Sequence, residues 1–125
     1  MKQVIFTKEA PAAVGPYSQA ISFGNLLFCS GQISIDPKNN EVMKGDASAQ
    51  AKLVMENIGA VLKAAGVGYQ NIVKTTIFLT DMADFTKVNE IYGSYFKENP
   101  PARSTIAVAG LPKGVNVEIE VLAHR

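Results

Sequence analysis

One cysteine, Cys29, and one histidine, His124, are all that the chain offers of the two residue types most used to ligate metals and activate nucleophiles. A lone cysteine can form neither an internal disulfide nor a metal cluster, and it suits a reducing compartment. His124 stands one residue from the end of the sequence, so no histidine-based triad or metal site is expected. Charge of one sign is also lacking. Twelve basic against eleven acidic side chains leave a formal net charge of +1, with no overall field to hold a polyphosphate backbone, and nucleic acid is not expected as a partner. No run approaches the roughly eighteen apolar residues that a membrane span needs. Met1 to Ala10 carries Lys2, Lys8 and Glu9 where a secretory leader would have an apolar stretch, and no Asn-x-Ser/Thr acceptor occurs. The expected location is the cytoplasm, with no membrane partner.

Apolar residues make up 47% and charged residues 18% of the 125, a globular balance. A chain of this length fits one domain, 1–125, that buries about two thirds of the surface its unfolded form exposes. Gln3 to Phe6 reads as a short strand, followed by a Pro- and Ala-rich loop, Ala10 to Pro16. Ala20 to Phe23 and Leu26 to Ile33 flank Gly24-Asn25, a dipeptide suited to the positive φ angles of a two-residue hairpin. Asp46 is placed to cap a helix from about Ala47. Its apolar positions Ala51, Val54, Met55, Ile58, Val61, Leu62 and Ala65 keep the spacing of one helical face, with Gly66 as the terminator. Ile72 to Leu79 reads as a strand, and Phe85, Val88, Ile91, Tyr92, Tyr95 and Phe96 as a second helical face ended by Pro100-Pro101. Strands over Ala102 to Ala109 and Val115 to Ala123, joined through Gly110 to Gly114, complete the order β-β-β-α-β-α-β-β.

Two helices can cover only one face of such a sheet, yet several strands are apolar on both. Leu26 and Phe28 oppose Leu27 and Cys29, and alternation sets Ile72 and Phe78 opposite Val73, Ile77 and Leu79. The uncovered face needs a partner, and a homo-oligomer packing bare sheet faces together is expected.

The last strand alternates cleanly. Val115, Val117, Ile119 and Val121 form one face; Asn116, Glu118 and Glu120 form the other. A solvated strand face would carry the same pattern, but a carboxylate partly buried between subunits must find a cation or hydrogen-bond donors. Arg103, just after Pro100-Pro101, is the candidate cation, and its planar fork suits a carboxylate. An ordinary surface arginine would look the same. Cys29 reads as a small core residue, and Lys113 as part of a loop without phosphate-binding spacing. If the last two strands pair directly, their register puts Arg103 opposite Val121, on the face away from Glu118.

Five segments, Ala12-Ala-Val-Gly-Pro-Tyr-Ser-Gln19, Ser30-Gly-Gln-Ile33, Lys74-Thr-Thr-Ile-Phe78, Pro101-Ala-Arg-Ser104 and Val117-Glu-Ile-Glu120, together resemble the reactive-intermediate deaminases, the RidA or YjgF family, in order and over nearly the whole chain. The resemblance implies a chorismate-mutase-like α+β fold, related to ferredoxin-like folds: a mixed sheet with two helices on one face, assembled as a homotrimer with interfacial pockets. It implies hydrolysis of enamine or imine acids such as 2-aminoacrylate to 2-keto acids and ammonia, without a metal or organic cofactor. Carried over by position, Arg103 grips the substrate carboxylate and Glu118 positions or activates water. Tyr17, Ser30, Gly31 and Asn89 line the pocket. Thr105, a further substrate-binding position, stands where many members carry a cysteine, which touches ligand contacts more than the assignment. A glutamate beside Arg103 is expected to stay ionised and be a weak base. A non-catalytic sensor of keto or amino acids is the main alternative; RNA cleavage or translation inhibition is a lesser one.

Overall fold

The strongest periodicity in the chain becomes its longest element. The computed structural model describes residues 1–125, and in it α1 runs from Ala47 to Ala64. Asp46 caps it by accepting the Ser48 N–H at 3.0 Å. At the other end Gly66 adopts φ +81°, and the Gly66 and Val67 N–H groups return to the Lys63 and Leu62 carbonyls at 2.9 and 3.0 Å. The face carrying Ala51, Val54, Met55, Ile58, Val61 and Leu62 is wholly buried. Each large aliphatic side chain taken from water there contributes about 1.5–3 kcal/mol.

That face lies on a six-stranded mixed sheet made of β1 (Gln3–Ile5), β2 (Ala20–Phe23), β3 (Leu26–Gln32), β4 (Ile72–Leu79), β5 (Ala102–Ala107) and β6 (Val117–His124), in the spatial order β1-β2-β3-β6-β4-β5. Only β4 and β5 are parallel, and the second helix, α2 (Phe85–Gly93), makes the crossover between them. Leu27, Ala123 and Ile72 form one buried row across the sheet; Val121 and Thr75 form the next; Gln32, Ile119 and Ile77 a third. The fold is thus the expected α+β arrangement of two helices on one sheet face.

Several local expectations are corrected. The hairpin between β2 and β3 has the expected two-residue loop, but positive φ falls on Gly24 alone and not on Asn25, as in a turn that needs glycine only at its first central position. The second helix ends at Gly93, well before Pro100-Pro101. Ser94 closes it, its hydroxyl donating to the Ile91 carbonyl at 2.6 Å. Ile72 does not oppose Ile77 and Leu79. The register slips between Ile72 and Lys74, leaving Val73 as an extra residue, so Ile72 joins the buried face and Val73 is 41% exposed. The last two strands do not pair, since β4 lies between them; even so, the row Arg103, Thr75, Val121 keeps Arg103 level with Val121.

The far face of the sheet is bare. Val4, Phe23, Leu26, Phe28 and Ile106 all lie on it, with Phe28 47% and Phe23 56% exposed, among Lys74, Thr76, Glu118 and Glu120.

Three buried carboxamides, unforeseen in the sequence, tie the loops at one end of the sheet to its core. Gln19 accepts the Thr7 N–H at 2.7 Å and donates to the Thr7 and Pro11 carbonyls at 3.0 and 2.9 Å. Asn57 donates to the Ile35 carbonyl at 2.9 Å. Gln50, fully buried on α1, accepts the Asn116 N–H and donates to Asn116 Oδ1, both at 2.8 Å, pinning the entry to β6. Gln50→Leu leaves both Asn116 groups without partners and is expected to cost about 1–3 kcal/mol, read as a lower urea midpoint at unchanged slope.

Candidate functional site

The pinned loops enclose a cleft of 570 Å³ at the end of the bare face, lined on its polar side by Tyr17, Ser30, Gly31, Asn40, Lys113 and Glu118. A bulge shapes its floor. Cys29 pairs with Val121 and Gln32 with Ile119, so Ser30 and Gly31 together stand opposite Glu120 alone. Ser30 is fixed there, its N–H on the Gln19 carbonyl at 3.0 Å and its hydroxyl on the Ser18 carbonyl at 2.6 Å. Glu118 reaches over Gly31 and makes no hydrogen bond or ion pair; the one ion pair in the chain joins Lys87 to Asp84 at 3.7 Å. Burial first, and the Glu120 carboxylate second, raise the pKa of Glu118 above its ordinary value. Within one chain Arg103 is not beside it, so the expected weak base held ionised by a neighbouring arginine is not what a single chain presents. No cation of the same chain is paired with it.

Arg103 lies elsewhere. It shares a row with Thr75 and Val121, and therefore the helix-covered side of the sheet, whereas Glu118 shares a row with Phe78 and Ile106 on the bare side. One face of α2 cradles it. Arg103 Nη1 donates to Asn89 Oδ1 at 2.6 Å, and the guanidinium carbon sits 5.6 Å from the Phe85 ring centre and 5.1 Å from that of Tyr92. Tyr92 is itself fixed by a 2.7 Å hydrogen bond between its hydroxyl and that of Thr75. Thr105 lines the same recess, and its hydroxyl is buried without a partner.

The seven positions singled out in the sequence thus fall into two groups. Tyr17, Ser30, Gly31 and Glu118 meet in the cleft; Asn89, Arg103 and Thr105 meet under α2; one chain does not bring the two groups together. Sequence reasoning missed Lys113, which lines the cleft from a one-turn helix at φ 61°, and the ring platform of Phe85 and Tyr92. The Phe85, Asn89, Tyr92 spacing of i, i+4, i+7 was a usable signal for the latter. Cys29 behaves as a core residue, burial pushing its thiol up to about 12. No cluster of three His, Cys, Asp or Glu side chains is placed to hold a metal ion, and no helix is long and apolar enough to cross a membrane.

Comparison with known proteins places this geometry. A family model described as endoribonuclease L-PSP matches residues 7–125. A RutC family protein of Pyrococcus horikoshii is 53% identical over 100% of this chain and 99% of its own. A human protein named 2-iminobutanoate/2-iminopropanoate deaminase is 48% identical over 98% of this chain and 90% of its own. Among solved structures, a Rid family protein from Yersinia pestis superposes with a TM-score of 0.98 at 51% identity, covering 100% of both chains. With a family model matching nearly its whole length and a solved Rid structure matching its fold throughout, the chain belongs to the endoribonuclease L-PSP family, the YjgF/RidA proteins.

Proposed function

We propose that the protein is a 2-iminobutanoate/2-iminopropanoate deaminase, hydrolysing reactive enamine and imine acids such as those formed from 2-aminoacrylate to 2-keto acids and ammonia. The observation that carries this reading is the pair of half-sites: an unpartnered, half-buried carboxylate on one side of the sheet and a pre-aimed guanidinium beside an unpartnered hydroxyl on the other. The name of the human relative supports the substrate class. The near-neutral charge of the chain gives an RNA substrate little support.

The half-sites lie on opposite sides of one sheet, so a two-fold contact between identical patches cannot join them. A head-to-tail contact can, and when it closes it makes a ring with one complete site at each interface. The bare apolar face supplies the surface for such an assembly, and three subunits is the number the family resemblance implies. In the assembled site Arg103 and Thr105 of one subunit hold the substrate carboxylate, the guanidinium fork bidentately. Tyr17, Ser30 and Glu118 of the next subunit surround the reacting carbon, with Gly31 beneath Glu118.

2-Aminoacrylate first moves a proton to its terminal carbon and becomes the imine. Water then adds to the imine carbon, Glu118 taking a proton from it as the C–O bond forms. Glu118 passes that proton to the imine nitrogen, giving the neutral carbinolamine; it then takes the hydroxyl proton as the C=O bond forms and delivers it to the nitrogen as the C–N bond breaks, and keto acid and ammonia leave. Imines react with water unaided, so a general-base factor of about 10² to 10⁴ together with positioning suffices.

Generating 2-aminoacrylate in situ with a pyridoxal-phosphate dehydratase and following keto-acid release tests the reading. Wild type accelerates release, and Arg103→Ala and Glu118→Ala each abolish the acceleration, with about 2–5 kcal/mol lost on removing the arginine. Co-refolding the two inactive variants in equal amounts restores about a quarter of wild-type activity if each site draws Arg103 and Glu118 from different subunits, and none if both come from one. Absence of turnover alongside tight keto-acid binding would instead make the protein a metabolite sensor.

The raised Glu118 pKa also has a stability consequence. Ionised Glu118 opposes folding, so its protonated form contributes stability that is present below the ordinary carboxylate pKa and lost as pH rises through the raised one. In the separate subunit, before a neighbour brings Arg103 to the site, Glu118→Gln is therefore expected to melt higher than wild type at neutral pH, with the advantage disappearing on acidification through that window.

A further inference from the structure

Gly31 has ordinary backbone torsion, outside the positive-φ region that favours glycine, so its conformation does not account for the missing side chain. What surrounds it does. A Cβ built at Gly31 would lie 3.3 Å from Glu118 Cγ, 3.0 Å from Cδ, and closer still to Oε2, well inside real contact distances; its three nearest neighbours all belong to that one side chain. The bulge that sets Ser30 and Gly31 opposite Glu120 brings this gap beneath the carboxylate. Fixing Ser30 on the Gln19 and Ser18 carbonyls keeps it there.

We infer that Gly31 is a positioning residue for Glu118, the absent Cβ being the seat in which the carboxylate rests. The inference rests on the proposed hydrolysis and deepens it. Glu118 has no hydrogen bond or ion pair to hold its three side-chain torsions, so the shape of the cleft floor performs that task. Any larger residue at position 31 lifts the carboxylate toward Glu120 or into the cleft, away from the attacking water. The obstructing group is the flexible end of a side chain, so the cost falls on Glu118 and not on the fold.

The test is a double-mutant cycle. Gly31→Ala is expected to melt at the wild-type temperature, to lose about 10- to 100-fold in kcat, and to change KM by less than about twofold. In the Glu118→Asp background, whose carboxylate stops one bond short of the Oε2 position that crowds the built Cβ most, the loss of kcat on Gly31→Ala is expected to be clearly smaller than with Glu118 in place. Equal losses in both backgrounds, or a loss carried mainly by KM, would overturn the assignment, since Gly31 would then be serving the substrate directly. If Gly31→Ala fails to fold, recovery of folding in Gly31→Ala/Glu118→Asp supports the seat and failure of both overturns it. A crystal structure of Gly31→Ala separates this question from the reaction itself. A displaced Glu118 carboxylate supports the seat even if wild type hydrolyses no imine, and an undisplaced one ends the proposal even if it does.

Discussion

Every side chain on a strand must face one side of its sheet or the other, and two helices can cover only one side. Most of what is distinctive in this molecule depends on that constraint. It buries Val117, Ile119, Val121 and Ala123 beneath α1 and leaves Glu118 and Glu120 on the open side. It sends Arg103 and Thr105 to the helix side of β5, one residue out of phase with Ile106. Arg103 and Glu118, the two groups of the proposed chemistry, are therefore separated by the sheet itself, and the face that carries Glu118 also exposes large apolar side chains. The proposed assembly and the proposed chemistry share a single geometric origin.

Each half-site is rigid for its own reason. Arg103 is long and flexible, and two ring faces and one amide oxygen on α2 restrain it, with Tyr92 fixed in turn by Thr75. Glu118 is restrained by the cleft around it, which owes its shape to loops held by buried carboxamides. Those carboxamides satisfy backbone groups of irregular segments that have no ladder or helix to pair with. Half-burying the carboxylate, with Glu120 near it and no partner in its own chain, raises its proton affinity.

Two bulges do much of the fine placement. One, at Val73, switches the face of β4 so that Ile72 and Ile77 are both buried; the other, at Ser30 and Gly31, opens the floor of the cleft. A bulge changes side-chain parity by one residue and leaves composition untouched, so simple alternation read along the chain crosses it without notice. That is why the expected opposition of Ile72 and Ile77 was wrong, while the alternation of β6, which carries no such slip within Val117 to Val121, held.

The sequence by itself determined the elements and their kinds: the α1 stripe with its Asp46 and Gly66 ends, the alternating last strand, and the surplus of apolar strand faces over helices. These follow from local periodicity, which one chain segment specifies alone. Only the tertiary structure decided that β4 intervenes between β5 and β6, that Arg103 and Glu118 stand on opposite sides of the sheet, and that Glu118 rests above Gly31. Strand order, bulge position and the approach of one side chain to another strand are long-range facts, set by how the whole core packs and by which backbone groups it must satisfy, and no local pattern carries them.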